Sequence, residues 1–381
     1  MSGRATIWVQ HLLGTGHLRR AASIAREAAA LGLDVTVLSG GQPVPHLDLG
    51  AARLIQLPPL KSLDESFSGL ADPSGAPAEP DYLAMRRRLA LEALRDARAD
   101  VFVTETFPFG RRQLRSEVLE LVAAARAMDA KIVASVRDIL QRPSKPERHD
   151  EMLAIALGHY DHVMAHADPR LMPFALTFPG AERLGERLVH TGYIAGPTVE
   201  RTRGGPGENE VIVSVGGGAT GGPLLAAALD ARAAAGAAGG LTWRLLVGHD
   251  LAAGPLAARL AAPPRGVVVE PARSDFAGLL ANGAVSVSQA GYNTVVDVLA
   301  AGTRAVLVPF ARGGETEQTD RATRLADLGV AIMREEAGLT ANGLAEAVDA
   351  ALARPRPGRR DVDLDGAARS AALIERWCGH G

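Results

Sequence analysis

A single cysteine, Cys378, excludes an internal disulfide framework and any multi-cysteine metal site. Nor is there a charge excess of either sign: the formal net charge is −2, and the basic surplus that marks a dedicated nucleic-acid binder is missing. The start, Met1 to Gly14, reads as a short strand followed by charged sequence, without the apolar segment of a signal peptide. The longest uncharged run, Phe276 to Val296, is broken by Asn282, Ser286, Ser288, Gln289, Gly291 and Asn293. It therefore reads as strand plus turn, not as a membrane span. Lysine is scarce beside abundant Ala, Gly and Arg, a pattern expected of a GC-rich genome. The expectation is a cytoplasmic, soluble protein. At 381 residues the chain is too long for one ordinary core and should form two domains.

What is present is a repeated strand, glycine turn and helix. Thr6 to Leu12 is a β-rich strand, His11 to His17 contains the glycine turn Gly14-Thr15-Gly16, and Leu18 to Leu31 is helical up to a C-cap at Gly32. Val35 to Leu38 closes a βαβ unit. Lys61 to Asp81, rich in Pro, Ser and Gly, reads as a long loop. Tyr82 to Arg98 reads as a helix with Arg86, Arg87 and Arg88 on a solvated face. Strands at Val101–Thr104, Lys131–Val136 and His159–His166 end respectively at Glu105, at Arg137-Asp138 and at Asp168. Polar clusters after successive strands mark the carboxyl edge of a parallel sheet, where such folds bind ligands. His190 to Ala195 is a last short strand, and Gly196 to Asn209 a Pro/Gly-rich linker. Val211 to Gly218 then repeats the opening with an apolar strand and Gly216-Gly217-Gly218 before the helix Pro223–Ala235. The fold class is α/β: two Rossmann-like, doubly wound parallel-sheet domains with an interdomain cleft. They are expected over 1–198 and 199–362, with 363–381 an amphipathic helix that packs back on the first domain.

The second half contains the densest stretch, Ser288 to Ala322. An apolar strand runs into Ser288-Gln289-Ala290-Gly291, a helix opens with Tyr292-Asn293-Thr294, and Asp297 lies one turn in. A glycine turn before a helix presents backbone N–H groups to an anion, and an acidic side chain behind it accepts hydrogen bonds from a diol. The polar loop Gly313 to Gln318 adds donors and acceptors for further hydroxyls. Phosphate, diol and hydroxyls in that order point to a nucleotide-sugar.

This stretch resembles the donor-binding region of GT-B glycosyltransferases of family 28, which include the lipid II-forming N-acetylglucosaminyltransferases. Gly14-Thr15-Gly16-His17 and Val215 to Gly218 resemble the two glycine loops of that family. A narrower likeness, to a subgroup of predicted glycosyltransferases, runs through Gly14–Ala21, Thr104–Arg115, Ser135–Leu140, His166–Pro179 and Thr191–Ala195. The resemblance implies that Asp297 takes the ribose hydroxyls and that Gly291, Tyr292, Asn293 and Thr294 hold the diphosphate, with Ala290 also in the donor site. It implies that Glu317 and Gln318 read the donor sugar, with Glu317 standing where the family has Gln. It further implies that the backbone around Arg273 pairs with the base, that Gly216, Gly217 and Gly218 let the chain approach the phosphates, and that Gly14, Thr15 and Gly16 also bind the donor. The implied reaction is an inverting, single-displacement transfer of a hexosyl group from a nucleotide-sugar, UDP-linked in this family, to a hydroxyl acceptor. No cofactor is implied.

Such a transfer needs a base and compensation for the leaving diphosphate. No DxD-type metal motif is placed for the second role, which the helix dipole and N–H groups at Gly291–Thr294 can fill. His17 is the first candidate base, because a helix N-terminus disfavours imidazolium; capping the helix or holding phosphate explains it almost as well. Glu105, at the end of a central strand, is the second candidate. Asp138 and Asp168 are weaker, since Arg137 and Arg170 beside them suggest ion pairs. Arg111, Arg112, Arg137 and Asp138 are candidate acceptor contacts, with a solvated helix start the plain alternative for Arg111 and Arg112. The acceptor class stays open; a lipid-linked acceptor and peripheral membrane contact are compatible with the sequence. The GxGHxxR opening also resembles the nucleotide-sugar hydrolase of pseudaminic acid synthesis, and a non-hydrolysing sugar epimerase or a nucleotide-sugar-binding regulator shares the architecture.

Overall fold

A computed structural model describes residues 2–12, 14–63, 69–143, 145–215, 221–248, 252–357 and 362–379. The chain divides into two compact units, residues 1–194 with 365–381, and residues 195–364. The divisions thus fall at Ile194 and Asp365, a few residues from the expected 198 and 363.

In the first unit β1 (Arg4–Val9), α1 (Gly16–Ala30) and β2 (Asp34–Ser39) form the opening βαβ motif, and β3 (Arg53–Gln56) extends it. α2 (Pro80–Ala97), β6 (Val101–Glu105), α3 (Arg115–Arg126), β7 (Lys131–Arg137), α4 (Glu147–His159), β8 (His162–His166) and β9 (Leu188–His190) follow. The seven strands of the main sheet run parallel in the order β3-β2-β1-β6-β7-β8-β9. Side-chain alternation along β1 sends Trp8 to one face, with Phe102, Leu94 and Leu121, and Ile7 and Val9 to the other, against α1. A sheet covered on both faces needs apolar residues at consecutive positions, as at Val101–Val103 in β6 and Ile132–Ala134 in β7.

The last helix, α11 (Gly366–Cys378), belongs to this unit. Ala367, Ala371, Ile374 and Trp377 enter the core beside α1, and the Trp377 indole stacks on the His162 ring with centroids 4.2 Å apart. Gly366 is required there, because a Cβ would lie 2.3 Å from the Gly192 carbonyl oxygen. A bridge between Ile194 and Asp365 joins the two ends of the unit.

In the second unit the strands β10 (Val211–Ser214), β11 (Trp243–Val247), β12 (Val267–Pro271), β13 (Val285–Ser288), β14 (Arg304–Leu307) and β15 (Ile332–Met333) form a parallel sheet. Its order is β12-β11-β10-β13-β14-β15. Its helices are α5 (Gly222–Ala234), α6 (Ala257–Ala261), α7 (Phe276–Asn282), α8 (Tyr292–Ala301), α9 (Glu317–Asp327) and α10 (Ala341–Ala353). In both sheets the strand order reverses beside the first strand, at β1/β6 and at β10/β13, and such switch points are where open α/β sheets take ligands.

Five local expectations are revised. The segment after Lys61 holds a small antiparallel pair, β4 (Lys61–Ser62) and β5 (Leu70–Ala71), and is not all loop. His159 ends α4 instead of starting a strand, and β9 stops at His190, before Thr191–Ala195. The polar loop expected at 313–318 already turns into α9 at Glu317. Arg86 does not lie on a solvated face: it is 0% exposed, its Nη1 2.5 Å from Glu117 Oε2, its Nη2 2.7 Å from Gln10 Oε1 and its Nε 3.0 Å from the Pro58 carbonyl. Trp8 Nε1 donates to the other Glu117 oxygen at 3.2 Å, so the pair is fully held. Its partners come from three distant segments, whereas neighbouring Arg87 and Arg88 pair with Glu120 and Glu92 at the surface.

Candidate active site

The switch point of the first sheet brings two sequence-distant groups together. β1 pairs with β6, so the turn after β1, which starts α1, stands beside the end of β6. Gly14 is open, with no atom within 4 Å of where a Cβ would sit, and no side chain caps α1 at Thr15. His17, in the first turn of α1, places Nδ1 2.8 Å from Glu105 Oε2. Thr106 Oγ1 lies 3.0 Å from the same nitrogen and donates to Glu105 Oε2 at 2.5 Å. Arg20, one turn along α1, donates through Nη2 to Glu105 Oε1 and lies 3.0 Å from His17 Nδ1.

The protonation states follow from this packing. Burial is the largest influence on Glu105 and would raise its pKa, but His17, Arg20 and the Thr106 hydroxyl together hold it well below the usual carboxylate range. Burial, opposed by Glu105 and reinforced by the charges of Arg111 and Arg20, brings the His17 imidazole down to about 3. The ring is neutral at pH 7. Because an ionised carboxylate can only accept, the nitrogen facing it carries the hydrogen. The Nδ1–H tautomer leaves a lone pair on Nε2, which makes no hydrogen bond among the described residues. A base held by a carboxylate in this way can take a proton, and the carboxylate stabilises the imidazolium that forms. Glu105 itself is 0% exposed with both oxygens engaged, which revises its standing as an alternative base: it orients His17.

Around this group, His166 at the end of β8 is fully buried between Ser135 Oγ and Thr191 Oγ1, each 2.8 Å away, and burial together with Arg20 lowers it to about 3. Asp168 is held by Arg170, as its neighbour suggested, at 2.7 Å. Asp138 is 0% exposed, its Oδ1 accepting from the Ile139 N–H at 2.8 Å, so it is withdrawn as a direct acceptor contact; Arg137, beside it at the end of β7, is half-buried. Arg111 adopts a left-handed backbone and donates from Nε to the Gln10 carbonyl at 2.8 Å, while Arg112 is exposed. Sequence reasoning missed Arg20, Thr106 and His166. The signal for Arg20 was available, since residues three apart share a helix face.

In the second unit, Gly291 is the N-cap of α8, no side chain caps the helix, and a Cβ at Gly291 would meet nothing within 4 Å. The first turn, Tyr292 to Thr294, thus starts behind an open glycine. Tyr292 is buried, with the Arg321 guanidinium 6.0 Å over its ring, so its side chain serves packing. Asn293, Thr294 and, on the second turn, Asp297 are half-buried. Ala290 is not available as expected: its N–H donates to Gln318 Oε1 at 3.0 Å and its carbonyl accepts from Arg321 Nη1 at 2.7 Å. Gln318 Oε1 also accepts from the Phe310 N–H at 3.2 Å, which leaves its amide N–H₂ as the group it can offer a sugar.

Glu317 is corrected too. It is 3% exposed, and Arg321 Nη2, one helical turn on, lies 2.8 Å from its Oε1; the carboxylate anchors Arg321 instead of reading a sugar. The Arg273 side chain forks onto Asp275 at 2.7 and 2.6 Å, which fixes the backbone of that turn. Gly216, Gly217 and Gly218 lie outside the described residues. Among the described residues no three His, Cys, Asp or Glu side chains converge as a metal site requires.

Residues 258–361 match the glycosyltransferase family 28 C-terminal domain. The family 28 match thus lies within the second unit. A curated relative, the UDP-N-acetylglucosamine--N-acetylmuramyl-(pentapeptide) pyrophosphoryl-undecaprenol N-acetylglucosamine transferase of Cupriavidus necator, is 38% identical over 82 residues. That match takes in 22% of this chain and 23% of the relative, so the chain spans under a quarter of the relative's length. Among solved structures, the glycotransferase of kitacinnamycin superposes with a TM-score of 0.68 at 20% identity, covering 99% of this chain and 100% of that one. MurG of Acinetobacter baumannii superposes with 0.62 at 17% identity, covering 98% and 99%. These likenesses establish the GT-B fold for the whole chain. The family 28 match contains Arg273, Ala290–Thr294, Asp297, Glu317 and Gln318; the His17–Glu105 group lies in the other unit, outside it.

Proposed function

We propose that the protein is an inverting glycosyltransferase that moves a hexosyl group from a UDP-linked sugar to a hydroxyl acceptor without a metal. The observation that carries the reading is the neutral His17, oriented through Nδ1 by buried Glu105 with Nε2 left to accept. In this mechanism Nε2 takes the proton of the acceptor hydroxyl as the oxygen attacks the anomeric carbon. The bond to the diphosphate breaks on the opposite face, and the configuration inverts. The charge on the leaving diphosphate is met by the uncapped first turn of α8 at Gly291–Thr294. Asp297 accepts the ribose hydroxyls and the Gln318 amide reads the sugar. The relative from Cupriavidus necator is named for a pyrophosphoryl-undecaprenol acceptor, which supports a lipid-linked acceptor as the first class to try. No described helix is long and apolar enough to cross a membrane, so the reading places the enzyme in the cytoplasm, meeting such an acceptor at the membrane surface.

A thermal-shift panel of nucleotides and nucleotide-sugars identifies the donor, since a ligand at ~10²–10³ times its Kd raises stability by several kcal/mol. With that donor, His17→Ala should lose ~10²–10⁴-fold in turnover and keep its nucleotide affinity. Wild-type turnover in the variant removes His17 from the mechanism. Release of free sugar from the donor alone, as fast as any transfer, would make water the nucleophile and the enzyme a hydrolase.

A further inference from the structure

At the opposite end of the second sheet from α8, the structure holds a cationic cavity that the donor site does not use. It has a volume of about 240 Å³ and is lined by Arg304, Gly329, Val330, Arg354, Pro355 and Pro357. Arg304 opens β14, at the register of Val285, where β13 begins; Gly291 follows the far end of β13. With about 3.3 Å per residue along a strand, the length of the sheet separates the two places.

Several arginines of the second unit are ion-paired. Arg244, Arg259, Arg273 and Arg312 each face a carboxylate. Among the described residues, Arg304, Arg354 and Arg356 face none, and are held by backbone and hydroxyl oxygens. Arg304 Nε donates to the Arg354 carbonyl at 2.7 Å and Nη1 to the Ala284 carbonyl at 3.3 Å. Arg356, behind the cavity, donates to the Gly283 carbonyl at 2.7 Å and to Thr303 Oγ1 at 3.2 Å. Arg354 reaches the Ala331 carbonyl at 3.5 Å. Pro355 and Pro357 stiffen the segment that carries two of the three. The charges act on one another: burial and then Arg201 and Arg304 lower the pKa of Arg356. Of these four, Arg201 is the one with an acidic partner, Glu208, at 3.7 Å.

We infer that this cavity is an anion site for a phosphate group, separate from the donor site, with Arg304 and Arg354 as its ligands and Arg356 supplying charge from behind. Two carbonyl bonds fix the plane of the Arg304 guanidinium, and the remaining N–H groups of Arg304 and Arg354 suit the geometry of phosphate oxygens. The volume amounts to about eight waters, enough for one or two phosphate groups. It is below the ~300–1,000 Å³ of pockets that enclose drug-sized ligands. The phosphate can be free in solution or the headgroup of an anionic lipid.

Both sources are tested on the full chain against Arg354→Glu, a change at an exposed side chain whose single bond is long, with Arg354→Ala as the milder control. Pyrophosphate is titrated by calorimetry at low salt, and vesicles of phosphatidylglycerol or of phosphatidylcholine are tested by co-sedimentation. Saturable pyrophosphate binding that weakens about tenfold or more in Arg354→Glu at unchanged thermal stability supports a soluble phosphate. Binding to phosphatidylglycerol vesicles alone, lost in the variant, supports the headgroup. Absence of both, or binding undiminished in both variants, overturns the inference. Because Arg354 is outside the donor candidates, UDP affinity should be the same in all three proteins, and the result stands whether or not UDP binds.

Discussion

Two imidazoles of the first unit, His17 and His166, should make its stability fall as the solution is acidified through the ordinary histidine range. His17 and His166 are both lowered from 6.5 to about 3, burial being the main cause in each. Below about pH 6.5 the unfolded chain takes up protons at these positions while the native protein does not, so stability present at neutral pH is lost as pH falls towards 3. From about pH 8 to about pH 5.5 the linkage amounts to about 1.4 kcal/mol per imidazole, or ~3 kcal/mol for the pair. His11, His162 and His190, also lowered by burial, act in the same direction. The second unit provides an internal control, because His249 is the one histidine between residues 195 and 364. Urea unfolding of Trp243→Phe, which leaves Trp8 and Trp377 to report on the first unit, measures the effect. His17→Asn should remove about half of the pair's contribution. A first-unit free energy that stays flat over this range, or an unchanged pH slope in His17→Asn, refutes the neutral, buried assignment of His17 and with it the basis for its role.

Arg86→Met should destabilise the first unit by about 3–5 kcal/mol in denaturant unfolding, since it strands the Glu117 carboxylate in the core; adding Glu117→Leu should recover much of that loss. Trp377→Ala, which removes the stack on His162, should cost the first unit about 3–5 kcal/mol and leave the unfolding of the second unit unmoved. Gly291→Val should leave thermal stability unchanged, because the position is open and its backbone is extended; if α8 holds the diphosphate, the variant's nucleotide-sugar affinity should fall by about 1–3 kcal/mol in calorimetry.

Much of the architecture was legible because its signals are local. An apolar run, a glycine turn and a helical period recur at Val9–Ala30 and at Val285–Ala301, and each reads correctly without knowledge of the other. The placement of α11 followed from its amphipathic face. The site was half legible: the rule that polar residues follow strands picked out His17 and Glu105 separately. Their pairing across 88 residues depends on β6 inserting next to β1, which is a property of strand order and not of either segment. Arg86 was misread for the same reason, since a run of three arginines looks solvated until Gln10 and Glu117 converge on one of them. The Glu317–Arg321 pair, by contrast, is a local helical spacing. It was overlooked because the resemblance assigned Glu317 to a ligand. Where a short-range partner of opposite charge exists, the pairing is the stronger expectation.

The return of α11 to the first unit also bears on how the chain is made. The ends of that unit meet at the Ile194–Asp365 bridge, with the Gly366 N–H 2.9 Å from the Tyr193 carbonyl, so residues 195–364 are spliced between neighbouring points of one fold. A nascent chain leaving the ribosome therefore presents a first unit that lacks Ile374 and Trp377 throughout synthesis of the entire second unit. Its α1 face waits uncovered until α11 emerges. The inserted unit, complete by Leu364, can close its core first, reversing the usual N-to-C order of domain folding.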